Sequence, residues 1–289
     1  MPLRSRRAAL VLAVVLAVIG IGVADNPSVS SVQAQSARYG RALTVGALFT
    51  LTSAGQLGTH FCTASVVDSP EGDLIVTAAH CLKGRTPSEV AFVPGHSRGL
   101  EPFGVWTVSR IIEDQSWISA ADPDDDFAFL VVHQTGAGGG IQERTGGEAV
   151  GTDVPAGRTV NVAGYPDNQD GMISCENTAT QFSPTQYQFD CGGFTDGTSG
   201  SPLLADVDTP GGGGTVIGVI GGYQQGGDTP SVSYAAKFSA SLSALYETAV
   251  AEPAPGRCSP NGGQEWQAHK ANRQQGRRLP RRSPARRVA

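Results

Sequence analysis

The sequence predicts an all-β protein built as two halves of similar strand count. Three observations carry that expectation. The 289 residues include 38 Gly but only 2 Met, and aromatics make up 7% of the chain, a composition that suits loop-rich sheets better than helical bundles. From Thr44 to Val250, short β-prone runs alternate with turn residues and no long helical period intervenes, which is the pattern of sandwiches and barrels. A Gly-rich bridge, TGAGGGIQERTGG at 135–147, divides those runs into two sets.

Taken along the chain, the amino end reads as a targeting segment. Arg4, Arg6 and Arg7 precede 17 residues, Ala8 to Ala24, without a polar side chain. A basic start, an apolar run and a small residue form a secretory signal, with cleavage expected after Ala24 and, as second choice, after Ala34. The run is short for a membrane anchor of about 20 residues. No later segment is apolar enough to cross a bilayer, so no stable membrane span is expected after processing. Residues 25–43 read as a propeptide or extension. The first set of strands comprises ALFTL, FCTASVV, DLIVTAA, EVAFV, VWTVSRII and FAFLVV. The second comprises TVNVAGY, MISCENTA, YQFDC, SPLLADV, TVIGVIGG and SYAAKF. One helix is expected, from about Ser239 to Ala251. Ser239 or Ser241 can cap it, and Leu242, Leu245, Tyr246 and Ala249 form one apolar face, expected to pack on the second half. Pro253 and Pro255 end the ordered region.

Charge is unevenly spread. The tail from residue 252 carries nine Lys or Arg and two Glu, whereas residues 25–250 carry nine basic and 24 acidic side chains. The tail has few apolar residues and much Pro, Gln and Arg, so residues 252–289 are expected to be disordered, and such a basic tail can contact anionic surfaces. The acidic body argues against nucleic acid as the main partner. Five cysteines, Cys62, Cys81, Cys175, Cys191 and Cys258, read as disulfides in an exported chain, and no CxxC pair suggests a metal site. The sequence leaves connectivity open. Pairing 62 with 81 and 175 with 191 closes two short loops, each stabilising by about 3 kcal/mol in the loop-entropy model, and leaves Cys258 over.

Three segments can carry chemistry. His80 ends a β run in VTAAHC, where Ala78 and Ala79 leave room beside the ring, and a bond from Cys81 to Cys62 would hold the backbone; a general base needs such rigidity. His60 is its nearest competitor. Asp126, in PDDDFAFLVV, directly precedes a strongly apolar strand, and a carboxylate there needs partners such as an imidazole N–H. Asp122, Asp124 and Asp125 fit a solvated turn, and their spacing matches no calcium loop. In TDGTSGSPLL, Ser199 sits in a turn between Gly197 and Gly200. Serine is a poor nucleophile without a base. Gly197 permits backbone angles that would aim its own N–H and that of Ser199 at a developing oxyanion.

VTAAHC at 76–81, DFAFL at 126–130, GTSGSP at 197–202 and IGVIGG at 217–222, in that order, resemble the motifs of the chymotrypsin-like (trypsin-like) serine endopeptidases. FCTASVV at 61–67 resembles the strand that carries the partner cysteine of the histidine segment. The resemblance covers roughly residues 44–250. It implies two packed Greek-key β-barrels, about 44–135 and 148–238, followed by the helix. It implies His80 as general base, Asp126 as its orienting carboxylate, Ser199 as nucleophile, Gly197 and Ser199 as oxyanion donors, and an acyl-enzyme resolved by water with no cofactor or metal. The partner implied is a peptide or protein substrate and the location extracellular. No IVGG activation terminus is present, and Thr198 stands where digestive-type members carry Asp, so the chain resembles the bacterial branches, in which a neutral hydrogen bond from Thr198 would hold the loop. Gly193 replaces the Asp of trypsin-type pockets. With Phe194, Ile220, Gly221, Gly222 and Tyr223 as the other expected substrate-binding residues, a small or apolar side chain is expected before the scissile bond. Two rival readings are a non-catalytic binding protein on the same barrels and an esterase using the same triad. Around Ser199 the sequence reads GTSGS rather than GxSxG, which disfavours an α/β-hydrolase built on that serine.

Overall fold

The protein is described by a computed structural model covering residues 43–134, 139–207 and 213–251. The expected signal at 1–24, the extension at 25–42, the first bridge residues 135–138, the tail at 252–289 and Cys258 lie outside the described residues. Six strands form the first barrel: β1 (Val45–Leu51), β2 (Leu57–Val66), β3 (Leu74–Thr77), β4 (Val90–Pro94), β5 (Trp106–Glu113) and β6 (Ala128–His133). They close in the order β1-β2-β3-β6-β5-β4, every pairing antiparallel. After the bridge come β7 (Ala149–Val150), β8 (Arg158–Gly164), β9 (Ile173–Ser183), β10 (Gln186–Asp190), β11 (Pro202–Ala205), β12 (Thr215–Ile220) and β13 (Val232–Lys237). β8-β9-β10-β13-β12-β11 form the second antiparallel barrel, closed because β11 pairs with both β8 and β12. The short β7 adds to β12 in parallel. This is the fold class that the sequence predicts, and closure removes the exposed strand edges that open sheets must protect.

Strand composition explains the closure. Along β6 every residue from Ala128 to Val132 is buried, so both faces of this strand are covered. One face points into the barrel beside Val76, Phe92 and Trp106. The other meets the carboxy-terminal helix α3 (Ala240–Ala251), preceded in the chain by the short helices α1 (Gln115–Ala120) and α2 (Gln142–Thr145). The apolar face of α3, Leu242, Leu245 and Ala249, is buried as its spacing predicts. Its partner differs from the expectation. The helix docks on β5 and β6 of the first barrel, where Tyr246 packs edge-on against Phe129 at 5.8 Å and donates its hydroxyl to the Asp68 carbonyl. The physical reason is the doubly apolar β6, whose outer face needs cover.

The two barrels share apolar contacts. Leu204, Val216, Val219 and Phe238 of the second join the core of the first, with Phe238 edge-on to Phe127 at 5.8 Å. Such an aromatic pair contributes about 1 kcal/mol beyond its burial. A second cluster, Val45, Ala47, Phe49, Val93, Ala163 and Tyr165, seals β1 and β4 against β8. The candidate site lies along this junction. Disulfides join Cys62 to Cys81 and Cys175 to Cys191. No helix among the described residues is long and apolar enough to cross a membrane.

Candidate active site

His80 lies in a 3-10 turn, Ala79–Leu82, directly after β3. Ala78 and Ala79 are fully buried, and the Cys62–Cys81 bridge ties this turn to β2. Asp126 follows a second 3-10 turn, Pro123–Asp125, that starts β6. The neighbouring acids have separate tasks. Asp122 caps the turn by accepting the Asp124 N–H, the Asp124 carboxylate accepts from Gln186 Nε2, and Asp125 accepts from the Ser241 hydroxyl. Asp126 is completely buried and satisfied by three donors. Its Oδ1 accepts the His80 backbone N–H at 2.8 Å, and its Oδ2 accepts from His80 Nδ1 at 2.7 Å and from the Gly222 N–H at 2.8 Å. A carboxylate without these bonds would not be tolerated at such a position. With Nδ1 donating, the neutral ring presents Nε2 as an acceptor.

Ser199 sits between β10 and β11, in a turn whose backbone bonds are almost wholly used. Thr195, Thr198, Gly200 and Ser201 donate their N–H groups to Gly193, Thr195, Ile220 and Thr198 carbonyls. The N–H groups of Gly197 and Ser199 make no such bond among the described residues. Their directions are nevertheless fixed. The Asp196 carbonyl, in the same peptide as the Gly197 N–H, accepts from the Asp167 N–H at 2.8 Å, and the Thr198 carbonyl, paired with the Ser199 N–H, accepts from Ser201 at 3.0 Å. A planar trans peptide turns its N–H away from its carbonyl. Gly197 has φ +90°, and a Cβ there would lie 2.5 Å from the Tyr165 carbonyl and 2.6 Å from the Asp167 nitrogen. Thr198 is buried, and its hydroxyl donates to the Thr195 carbonyl at 2.7 Å.

The serine turn abuts the histidine segment. The Thr63 N–H donates to the Ser199 carbonyl at 2.8 Å. A Cβ on Gly200 would stand 2.1 Å from the Thr63 carbonyl and 3.1 Å from the nitrogen of Ala78, two residues before His80. None of the hydrogen bonds among the described residues joins Ser199 Oγ to the His80 ring. His60 is accounted for otherwise, its Nε2 bonded to the Pro166 carbonyl at 3.0 Å and its ring edge-on to Phe49. His96 shares that aromatic contact, and burial lowers its basicity.

A cavity of about 490 Å³ opens beside Ser199. Phe194 and Ile220, both buried, belong to its lining as the sequence suggests, together with Gly226 and Ser233. Gly193, Gly221, Gly222 and Tyr223 do not line it. Gly221 and Gly222 are drawn to Asp126, the first with its Cβ position 2.9 Å from Oδ2 and the second through its N–H. Gly193 is bonded to the Pro230 carbonyl, and Tyr223 turns outward to stack with Phe182 and Tyr234. The far wall is instead the loop from Gln225 to Pro230, and three exposed carboxylates, Asp167, Asp196 and Asp228, stand around the cavity. Only the paired glycines of QQGGD hint at that loop in the sequence. Cys62, His80 and Cys81 cluster closely, but the disulfide occupies both sulfurs, which leaves this cluster a single imidazole to offer a metal.

Residues 58–219 match the family model described as the trypsin-like peptidase domain. Among solved structures, protease Anisep from Arthrobacter nicotinovorans is 24% identical with a TM-score of 0.64, covering 75% of this chain and all of that one. AL20, a thermostable serine protease from an extremophilic microorganism, is 26% identical with a TM-score of 0.62, covering 73% of this chain and 99% of that one. A Glu endopeptidase shares the fold at 15% identity and a TM-score of 0.59, covering 76% of this chain and all of that one. No curated protein sequence matches the chain.

Proposed function

From the premise that this chain belongs to the trypsin-like peptidase family and is a serine endopeptidase, we propose that His80, Asp126 and Ser199 form its catalytic triad. Ser199 Oγ attacks the scissile carbonyl while His80 Nε2 takes its proton. Asp126 holds the ring in the required tautomer and stabilises the imidazolium. The N–H groups of Gly197 and Ser199 receive the oxyanion, each contributing about 3 kcal/mol. His80 then protonates the leaving amine, and water, deprotonated by the same imidazole, releases the acyl group from Ser199. The observation that carries the reading is the paired state of the turn: the Asp196 and Thr198 carbonyls are pinned while the two N–H groups they orient make no bond among the described residues. Bonds between a serine and its base are commonly long before substrate binds and tighten in the complex.

The side chain before the scissile bond enters the cavity beside Ser199. Its buried floor, Phe194 and Ile220, supports the small or apolar preference, because no charge lies among those buried groups. The three rim carboxylates are exposed and screened, and they favour cationic residues at flanking positions by well under 1 kcal/mol each. The Thr198 hydroxyl bond supports activity without an ammonium counter-ion for the loop. Export through residues 1–24 and release of residues 25–43 complete the reading. The test is covalent labelling of the purified chain by a fluorophosphonate, together with casein turnover. Ser199→Ala is expected to abolish both, and a variant that still labels removes Ser199 from the role.

A further inference from the structure

We infer that Thr63, a buried strand residue outside the triad, is the positioning residue that holds the oxyanion-binding turn in register with His80. The inference rests on the peptidase reading above. Thr63 is fully buried and makes four hydrogen bonds, three of which cross between segments distant in sequence. Its Oγ1 donates to the Gly197 carbonyl at 3.0 Å and accepts the Tyr165 N–H at 2.9 Å. Its N–H donates to the Ser199 carbonyl at 2.8 Å. Its carbonyl accepts from the Thr77 hydroxyl at 2.7 Å, three residues before His80.

The consequence for Gly197 is specific. The peptide before it is pinned by Asp167 through the Asp196 carbonyl, and the peptide after it is held within the turn by the Thr198 N–H on the Thr195 carbonyl and tied to β2 by Thr63 through the Gly197 carbonyl. Glycine has no side chain to resist rotation, so these bonds hold it at a φ of +90°. If the Thr63 bond is lost, the Gly197–Thr198 peptide keeps only the Thr198 N–H anchor inside the turn, its tie to β2 is gone, and the oxyanion donors on either side are less firmly preorganised. A donor that must be reoriented during the reaction stabilises the transition state less. The ground-state peptide gains little from that donor, so the deficit belongs in kcat rather than KM.

Thr63→Val keeps the shape and removes the hydroxyl, whereas Thr63→Ser restores it. Val66→Ala, a cavity variant on the same strand away from the turn, controls for loss of stability. The readouts are kcat and KM on a peptide amide, affinity for a peptide boronate, and folded fraction by thermal melting. Thr63→Val is expected to lose about 10- to 100-fold in kcat and in boronate affinity with KM nearly unchanged, a fraction of the loss for deleting a whole donor. Thr63→Ser is expected to stay within about threefold of wild type, since it retains the same hydrogen-bonding group. If Thr63→Val does not fold, Thr63→Cys, of similar volume and with a weak donor, takes its place with the same expectation. An active wild type matched by the Thr63 variant, or a loss that merely follows the folded fraction as in Val66→Ala, overturns the inference alone. A wild-type chain that neither turns over peptide nor takes up a fluorophosphonate overturns the peptidase reading and this inference with it.

Discussion

Replacing Asp126 by Asn tests the electrostatic logic of the site most directly. The carboxylate faces only donors: one backbone N–H on Oδ1, and the imidazole Nδ1–H with a second backbone N–H on Oδ2. An amide can occupy this position in two ways. With its oxygen at the Oδ2 position it keeps the ring tautomer, but the NH2 opposes the His80 N–H. With its NH2 at the Oδ2 position it opposes the Gly222 N–H and forces Nδ1 to become an acceptor, which puts the proton on Nε2 and disables it as a base. Either orientation leaves one buried donor opposed to another, a cost of about 1–3 kcal/mol that a folded domain of this size withstands. The catalytic cost is larger. An imidazolium and a carboxylate about 4 Å apart attract by about 4 kcal/mol at an effective dielectric constant of 20, and the amide forfeits that attraction. At 1.36 kcal/mol per decade this is roughly a thousandfold in kcat, and the wrong tautomer adds to it. The assay is steady-state hydrolysis of a peptide amide near neutral pH, paralleled by the fluorophosphonate labelling rate, on protein shown to be folded by melting. A folded Asp126→Asn variant within tenfold of wild type would refute the reasoning, because neither the charge nor the tautomer would then matter.

Three further outcomes are expected. Gly200→Ala should destabilise by about 3 kcal/mol or more in chemical denaturation, since a φ of +83° strains any side chain and the new Cβ meets the Thr63 carbonyl and the backbone at Ala78; a change under about 1 kcal/mol would show that the turn relaxes freely. Glu148 is buried, accepts from the Thr44 hydroxyl and the Gly214 N–H, and burial raises its pKa above the ordinary 4.5. The folded state therefore holds this proton longer than the unfolded chain, so Glu148 has no effect below pH 4.5 and lowers stability as pH rises through its raised folded value. Melting temperatures of Glu148→Gln relative to wild type should therefore climb between about pH 4 and neutrality, and a difference that stays constant or falls would contradict the assignment. A peptide-library profile should show small or apolar residues before the scissile bond, with any gain from flanking Lys or Arg disappearing at high salt; a strong Arg or Lys preference at that first position would overturn the pocket reading.

How far the sequence reveals this arrangement depends on the range of the forces involved. His80, Asp126 and Ser199 are legible because each carries a local signature: small residues before the ring, an acid before an apolar strand, and glycines around a hydroxyl. The strands are legible for the same reason, since alternation and turn chemistry are short-range. The docking of α3 is not. Its apolar face follows from the spacing of Leu242, Leu245 and Ala249, but periodicity names a face and leaves its partner unspecified, and the uncovered side of β6 lies over a hundred positions away. The cavity wall is hidden more deeply. Gln224 and Gln225 both adopt left-handed conformations, with φ of +50° and +52°, which no propensity favours for glutamine, so the loop they begin is shaped by its surroundings. Thr63 is the extreme case. In FCTASVV it is an ordinary β-branched strand residue, and its partner Gly197 lies 134 positions along the chain.

That distance explains why β2 matters more than its sequence suggests. Successive side chains on a strand point to opposite faces. Cys62 therefore reaches one way, to the disulfide beside His80, while Thr63 reaches the other, to the serine turn and Tyr165. Two adjacent residues of one strand thus hold the base covalently and the nucleophile turn by hydrogen bonds. A second tie runs in the opposite direction, from Gly222 of the second barrel to Asp126 of the first. A site at a junction of two barrels is exposed to any relative motion of the halves. Here the groups that must meet are referenced to a common strand and to a common carboxylate, so small shifts elsewhere in the junction carry the base and the nucleophile together. Variants that loosen the apolar contact of Phe127 with Phe238 should therefore lower stability well before they lower turnover per folded molecule, whereas variants at Thr63 should do the reverse.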